Sequence, residues 1–171
     1  MNTHTHWTTR PENTTDVESV RRINLAAFET AEEADLVDAL RQDPAWIDGL
    51  SMLTLDDDGA PVGHALLTRC HIGDTPALCL APCAVYPEYQ RTGAGSAAIR
   101  AVLDAAKQRG EHFVTVLGHP DYYPRFGFTR ASEHGVRMNV EVPDDALMVL
   151  ALDGRPIPSG AIRYAAAFGD I

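Results

Sequence analysis

Apolar side chains recur along the chain at two spacings, one helical and one extended. Val20, Ile23, Ala27 and Phe28 repeat at helical intervals behind Asp16, so a helix capped by Asp16 is expected through Phe28. Leu36, Val37 and Leu40 place a second helix over Glu32–Arg41, which must end before Pro44. Ahead of them His6–Arg10 reads as a short strand and Pro11–Thr15 as a turn; Glu29–Ala31 is a short connection. Leu50–Leu55 and Pro61–Thr68 then flank Asp56-Asp57-Asp58-Gly59, whose Asp and Gly residues accept the positive φ of a hairpin turn. Ala77–Val85 is the next apolar run. Pro82 inside it has no N–H to donate, so a strand there must be irregular or splayed near that residue.

The clearest helix is Ser96–Arg109. Ile99, Val102, Leu103 and Ala106 form one stripe, Lys107 and Arg109 suit the negative end of the dipole, and Gly110 closes it. Phe113–Leu117 follows as a buried strand, Tyr122–Phe126 as at most a short helix, and Ala146–Leu152 as a late strand. Helices first, then a meander of strands, then a strand–helix–strand unit describe a mixed sheet with helices on both faces, an α/β or α+β fold. The strands on either side of Ser96–Arg109 should run parallel with a right-handed crossover. At 171 residues, with no internal repeat and no interior linker, one domain is expected.

Charge narrows the function classes. Twenty-four acidic against fourteen basic side chains leave a net charge of −10, which repels phosphate backbones, so nucleic acid is not an expected partner. There is no apolar run of about 18 residues to span a membrane, and the polar stretch Met1–Glu12 does not read as a secretory signal. Cys70, Cys79 and Cys83 are odd in number and form no C-x-x-C pair; they read as small core hydrophobes of a cytoplasmic protein. The seven histidines, His4, His6, His64, His71, His112, His119 and His134, show no metal-ligand spacing, and no metal is expected.

Chemistry concentrates in Ala84-Val85-Tyr86-Pro87-Glu88-Tyr89-Gln90-Arg91-Thr92-Gly93-Ala94-Gly95-Ser96. A strand ends, a proline turns the chain, and a glycine-containing loop opens a helix. The first N–H groups of a helix have no internal partner and its dipole favours anions there. Gly93 and Gly95 let the backbone approach a ligand closely, and Arg91 adds charge, so a phosphate or diphosphate is the expected guest. A P-loop would need Gly-Lys-Ser/Thr, which is missing. Gly93-Ala94-Gly95-Ser96-Ala97-Ala98 fits the loose dinucleotide fingerprint, but Phe113–Leu117 ends in Gly118-His119 with no carboxylate for a ribose until Asp121.

The third reading is coenzyme A. Gln90-Arg91-Thr92-Gly93-Ala94-Gly95 resembles the Q/R-x-x-G-x-G/A diphosphate loop of the GNAT superfamily of N-acetyltransferases. Upstream, Ala84-Val85-Tyr86-Pro87-Glu88-Tyr89 looks like that family's lead into the loop; downstream, Tyr123-Pro124-Arg125-Phe126-Gly127-Phe128 resembles its Y-x-x-x-G-F element. The longer Pro120–Phe128 segment also looks like a bacterial subgroup of YhbS-like acetyltransferases. The resemblance runs in order over about residues 7–152, with 153–171 as a C-terminal extension. It implies a largely antiparallel sheet with one splayed parallel pair.

The resemblance also implies roles. Backbone groups of Cys83, Ala84 and Val85 would hold the pantetheine arm, with the Val85 N–H on the thioester carbonyl. Amides of Arg91, Thr92, Gly93, Ala94, Gly95 and Ser96 would take the diphosphate. Tyr123, four residues before Gly127, would protonate the departing thiolate, whereas Gly127 and Phe128 end a short helix. No Glu or His stands on Leu78–Cys83, so His64, His71, Glu29, Glu32 or Glu33 acting through water are the base candidates. Glu29, Glu32, Glu33 and Asp35 would attract a cationic amine, of a small molecule or of a protein. The implied activity is direct acetyl transfer from acetyl-CoA; the alternatives are a non-catalytic acyl-CoA-binding module and a nucleotide-dependent oxidoreductase. Relatives are often dimers, so the resemblance admits a homodimer.

Overall fold

A computed structural model describes residues 7–169 and 171. His4 and His6 lie outside them, so the first strand is described as β1 (Thr8–Pro11). The two early helices are α1 (Val17–Ala27) and α2 (Glu32–Arg41). Asp16 is the residue before α1, but its side chain does not cap it. That carboxylate instead accepts the Asn13 N–H at 2.8 Å and the Arg10 guanidinium at 2.6 Å, while Asn13 caps the 3-10 turn Thr14–Asp16. The expected cap is therefore displaced three residues upstream, because a 3-10 turn precedes the α-helix.

The hairpin forms as β2 (Ser51–Leu55) and β3 (Pro61–Ile72). Its turn is closed by Asp56, whose Oδ1 accepts the N–H of both Asp58 and Ala60, with Gly59 at φ +83°. Beyond lie β4 (Thr75–Val85), α3 (Ala94–Gln108), β5 (Phe113–Leu117), β6 (Thr129–Arg130), β7 (Val136–Arg137), β8 (Leu147–Ala151) and β9 (Gly160–Arg163). The main path of the sheet is β1-β2-β3-β4-β5-β8-β6, antiparallel except for the β4–β5 pair; off it, β9 pairs antiparallel with β3 and parallel with β7. The sequence pattern missed β6, β7 and β9, which are two to four residues long. β9 lies in the segment expected as an extension. It pairs with His71 and Ile72 of β3, past the point where the shorter β2 has ended.

Strand alternation sorts the core into two faces. Leu50, Met52, Ala65, Leu67, Leu78, Leu80, Val114 and Val116 pack under the Ile99–Ala106 stripe of α3. On the other face Leu53, Leu66 and Ala84 meet Val20, Ile23, Val37 and Leu40 of α1 and α2. Among the described residues no helix is long and apolar enough to cross a membrane.

One irregularity positions everything that follows. Ala65 faces Cys83 whereas Leu67 faces Leu80, so β4 carries an extra residue at Ala81–Pro82. That bulge shifts the alternation by one. Leu78 and Leu80 face α3 before it, and Cys83 and Val85 do so after it, while Ala84 turns to the α1 face. The parallel ladder with β5 stops at Cys79–Thr115, so the strands part as expected near Pro82.

Candidate functional site

The end of β4 and the start of α3 form one wall of a cavity of about 480 Å³, lined by Val85, Tyr89, Gln90, Arg91, Gly93, Gly95, Ser96, Tyr122 and Arg125. Helix α3 begins at Ala94, two residues earlier than its apolar stripe suggests, with Gly93 before it at φ +90°. The first intrahelical bond runs from the Ala97 N–H to the Gly93 carbonyl, so the amides of Ala94, Gly95 and Ser96 precede it. Gly95 therefore belongs to the helix and needs no positive φ. What it needs is space: a Cβ there would stand 2.9 Å from Val85 Cγ2 and 3.8 Å from the Tyr122 hydroxyl. The close approach of strand and helix start is a cradle that a side chain would fill, and with Gly95 and Ser96 lining it, it fits a diphosphate at the helix start.

Neighbouring strands hold this helix start in place. Thr54 Oγ1 donates to the Ala94 carbonyl at 2.7 Å, and Trp7 Nε1 donates to the Thr92 carbonyl at 3.0 Å. Thr92 and Ala94 thus support the loop rather than line the cavity, and Ala94 is fully buried. Arg91 sits at φ +63° with its side chain exposed on the cavity rim.

The two tyrosines separate. Tyr122 shares a 2.8 Å hydrogen bond with Ser96 Oγ and lines the cavity. Tyr123 turns instead toward Cys83, where the sheet splits, and packs edge-on against Tyr122 and Phe128 at ring distances of 5.0 and 6.0 Å. Burial, reinforced by the Cys83 thiol beside it, raises the Tyr123 phenol above its ordinary range, so it carries its proton at neutral pH. Burial also pushes the Cys83 thiol up to about 12, against the opposing effect of Tyr123. Cys83 is therefore a thiol, not a nucleophilic thiolate. The phenol lies past the bulge, next to the strand end expected to hold the pantetheine arm. Gly118 makes room for it, since a Cβ there would lie 2.4 Å from Tyr123 Cε2.

The base candidates sort by position. His64 is no surface residue but 1% exposed, with Nδ1 accepting from Asn24 Nδ2 at 3.2 Å and Nε2 donating to Ser51 Oγ at 2.8 Å. The Ser51 hydroxyl in turn donates to Glu12, which is bridged to Arg41 at 2.7 Å. Both ring nitrogens are occupied, and burial holds the imidazole down to about 3, so His64 is a neutral core group. His71 pairs with Pro76 at the opposite end of β4 from Val85, about 30 Å away along a strand rising about 3.3 Å per residue. Glu29 and Glu32 are exposed and Glu33 is half-buried. Among the described residues no cluster of His, Cys, Asp or Glu could hold a metal. Cys70 and Cys79 are buried free thiols.

Tyr122 and Arg125 lie within the Pro120–Phe128 segment, where local pattern assigns neither a place at the cavity. Arg125 stacks over the Tyr122 ring, its Cζ 4.4 Å from the centroid, and its Nε donates to the Tyr122 carbonyl. The readable signal was the run of aromatic and cationic residues from Tyr122 to Phe126.

Residues 17–128 match the acetyltransferase (GNAT) family. A relative from Escherichia coli K12, described as the uncharacterized N-acetyltransferase YjhQ, is 36% identical over 169 residues, spanning 94% of this chain and 93% of that one. Among solved structures, the Escherichia coli GNAT-family N-acetyltransferase YhbS in complex with CoA superposes with a TM-score of 0.86. It is 25% identical, and the match covers 98% of this chain and 94% of that one. A Brucella melitensis GNAT-family acetyltransferase in complex with acetyl-CoA gives 0.78 at 29% identity, covering 96% and 99%.

Proposed function

This chain belongs to the acetyltransferase (GNAT) family, and from that premise we propose that it transfers acetyl from acetyl-CoA to a primary amine, which attacks the thioester directly in a ternary complex. The observation that carries this reading is the continuity of the β4–β5 split with the start of α3. The end of β4, no longer paired with β5, runs from Cys83 beside the Tyr123 phenol to Val85, which lines the cavity together with Gly95 and Ser96 of the α3 start. A thioester lying in it would put its diphosphate on the helix start and its sulfur near Tyr123.

Each step then has a group. Arg91 and the α3 amides bind the diphosphate; backbone groups of Cys83, Ala84 and Val85 orient the pantetheine arm. The Val85 N–H faces the carbonyl oxygen as it gains charge, a role commonly worth about 2.7–4 kcal/mol per donor. The amine nitrogen bonds to the carbonyl carbon, the C–S bond breaks, and Tyr123 gives its proton to the departing sulfur. The amine's proton leaves through water, and of the base candidates only Glu29, Glu32 and Glu33 remain after His64 and His71 are set aside. Those carboxylates favour a cationic acceptor, of a small molecule or a protein.

Thiol release from acetyl-CoA across a panel of primary amines tests the reading. Wild type should release thiol above background, and Tyr123→Phe should lose about 10²–10⁴-fold in rate while binding acetyl-CoA with an unchanged Kd. Tight acetyl-CoA binding with no amine eliciting thiol would instead identify a non-catalytic acyl-CoA-binding module.

A further inference from the structure

The chain is strongly acidic, and most of its arginines are consumed by ion pairs. Arg10, Arg21, Arg22, Arg41, Arg69, Arg130, Arg155 and Arg163 each lie within 4 Å of a carboxylate. Of the five arginines with no such carboxylate among the described residues, three (Arg91, Arg100 and Arg125) gather around the start of α3. Arg91 is at the loop expected to hold the diphosphate. The other two lie further out and have a common arrangement. Arg125 is stacked 4.4 Å over Tyr122, and Arg100 is stacked 4.9 Å over Phe126, whose ring is 5.4 Å from Tyr122. Asp104, one turn beyond Arg100 on α3, accepts the Gln108 amide at 2.7 Å instead of pairing with Arg100. Two exposed guanidiniums are thus held on adjacent aromatic rings with no carboxylate partner among the described residues.

Their direction from the cavity is informative. The split in the sheet draws the pantetheine arm from the diphosphate toward Val85 and Cys83, so the adenosine must leave the helix start on the other side. The exit past Pro87–Tyr89 carries the exposed Glu88, which repels a phosphate. The exit along the outer face of α3 passes Ser96 and then Arg100, four residues on and therefore on the same face, with Arg125 opposite above Tyr122. Beyond it a groove of about 450 Å³ runs between Arg100, Leu103, Phe126 and Leu150, where the one carboxylate lining it, Asp104, is outnumbered by Arg100 and Lys107. This exit offers cations, apolar area and aromatic edges together.

We propose that Arg125 and Arg100 bind the 3′-phosphate of coenzyme A and make this site selective for the 3′-phosphorylated coenzyme. The inference rests on the coenzyme reading above and deepens it. Stacking on a ring restrains each planar guanidinium, so little freedom is lost when a phosphate oxygen pair is taken up.

Calorimetry with CoA and with 3′-dephospho-CoA, at one fixed ionic strength, tests it. Wild type should bind CoA at least about tenfold more tightly, a difference of about 1.4 kcal/mol. Arg125→Ala should reduce that ratio, the Arg100→Ala and Arg125→Ala double variant should bring it to about unity, and Arg125→Lys should retain part of it. The Kd for 3′-dephospho-CoA should be unchanged throughout. The proposal is overturned by a wild-type ratio near one, by a double variant that keeps the full ratio, or by equal weakening of both nucleotides, which would put the arginines on the diphosphate. Wild type binding neither nucleotide would overturn the coenzyme reading itself.

Discussion

Gly118→Ala is the sharpest probe of how the split is held open for Tyr123. Gly118 follows β5 and has ordinary backbone angles, so alanine brings no strain of its own. The added Cβ would stand 2.4 Å from Tyr123 Cε2, 3.1 Å from Cδ2 and 3.3 Å from Cζ. Carbon atoms rest at about 3.5–4.0 Å, so the ring must retreat by about 1 Å. It has little room, because Tyr122, Phe126 and Phe128 surround it at ring distances of 5.0, 6.3 and 6.0 Å. Overpacking of this kind costs about 1–3 kcal/mol, against about 0.4–1 kcal/mol gained by restricting the unfolded chain. The clash should win, lowering the melting temperature by about 2–4 °C per kcal/mol of net loss. The catalytic consequence is larger, since a 1 Å misplacement can cost about 10²-fold in rate. Urea and thermal unfolding of wild type, Gly118→Ala, Tyr123→Leu and the double variant measure the coupling directly. A Gly118→Ala protein as stable as wild type, or a double variant whose losses simply add, would refute the contact.

Other outcomes follow from the same geometry. Gly95→Val should force Val85 away from the helix start and weaken CoA binding by more than about tenfold, read by calorimetry, with a retained far-ultraviolet spectrum as the folding control. Thr54→Val removes the 2.7 Å bond that ties β2 to the Ala94 carbonyl at the start of α3; urea unfolding should register a loss of about 0.5–1.5 kcal/mol. His64 titrates near 3 in the fold and near 6.5 unfolded, so the unfolded chain binds the extra proton between those values and stability must fall as pH falls. Between pH 7 and pH 5 that share is about 2 kcal/mol, and a His64→Gln variant that keeps the full wild-type slope in urea titrations would refute the assignment. Tyr123→Phe remains the direct test of proton donation to the leaving thiol.

The local elements and the glycine-containing turn into α3 were legible in the chain because short-range physics sets them. Apolar spacing marks α1, α2 and α3; Asp56 and Gly59 close the hairpin; Pro82 announces an irregular strand; and Gly93 marks the turn that opens an amphipathic helix. Which tyrosine faces which end of the groove was half legible: the offset to Gly127 singled out Tyr123, but nothing local shows that Tyr122 bonds to Ser96 across 26 residues. The short strands β6, β7 and β9 were invisible, because they are stabilised by partners distant in sequence and carry too few positions for a period. His64 looked like a surface base because the chain does not show that Asn24 and Ser51 come from two different elements to occupy both ring nitrogens. Tertiary structure alone also decided the facing of β4. One extra residue opposite Leu66 turns Cys83 and Val85 onto the α3 side, and in a strand whose side chains alternate, that single step determines what the groove presents to its ligand.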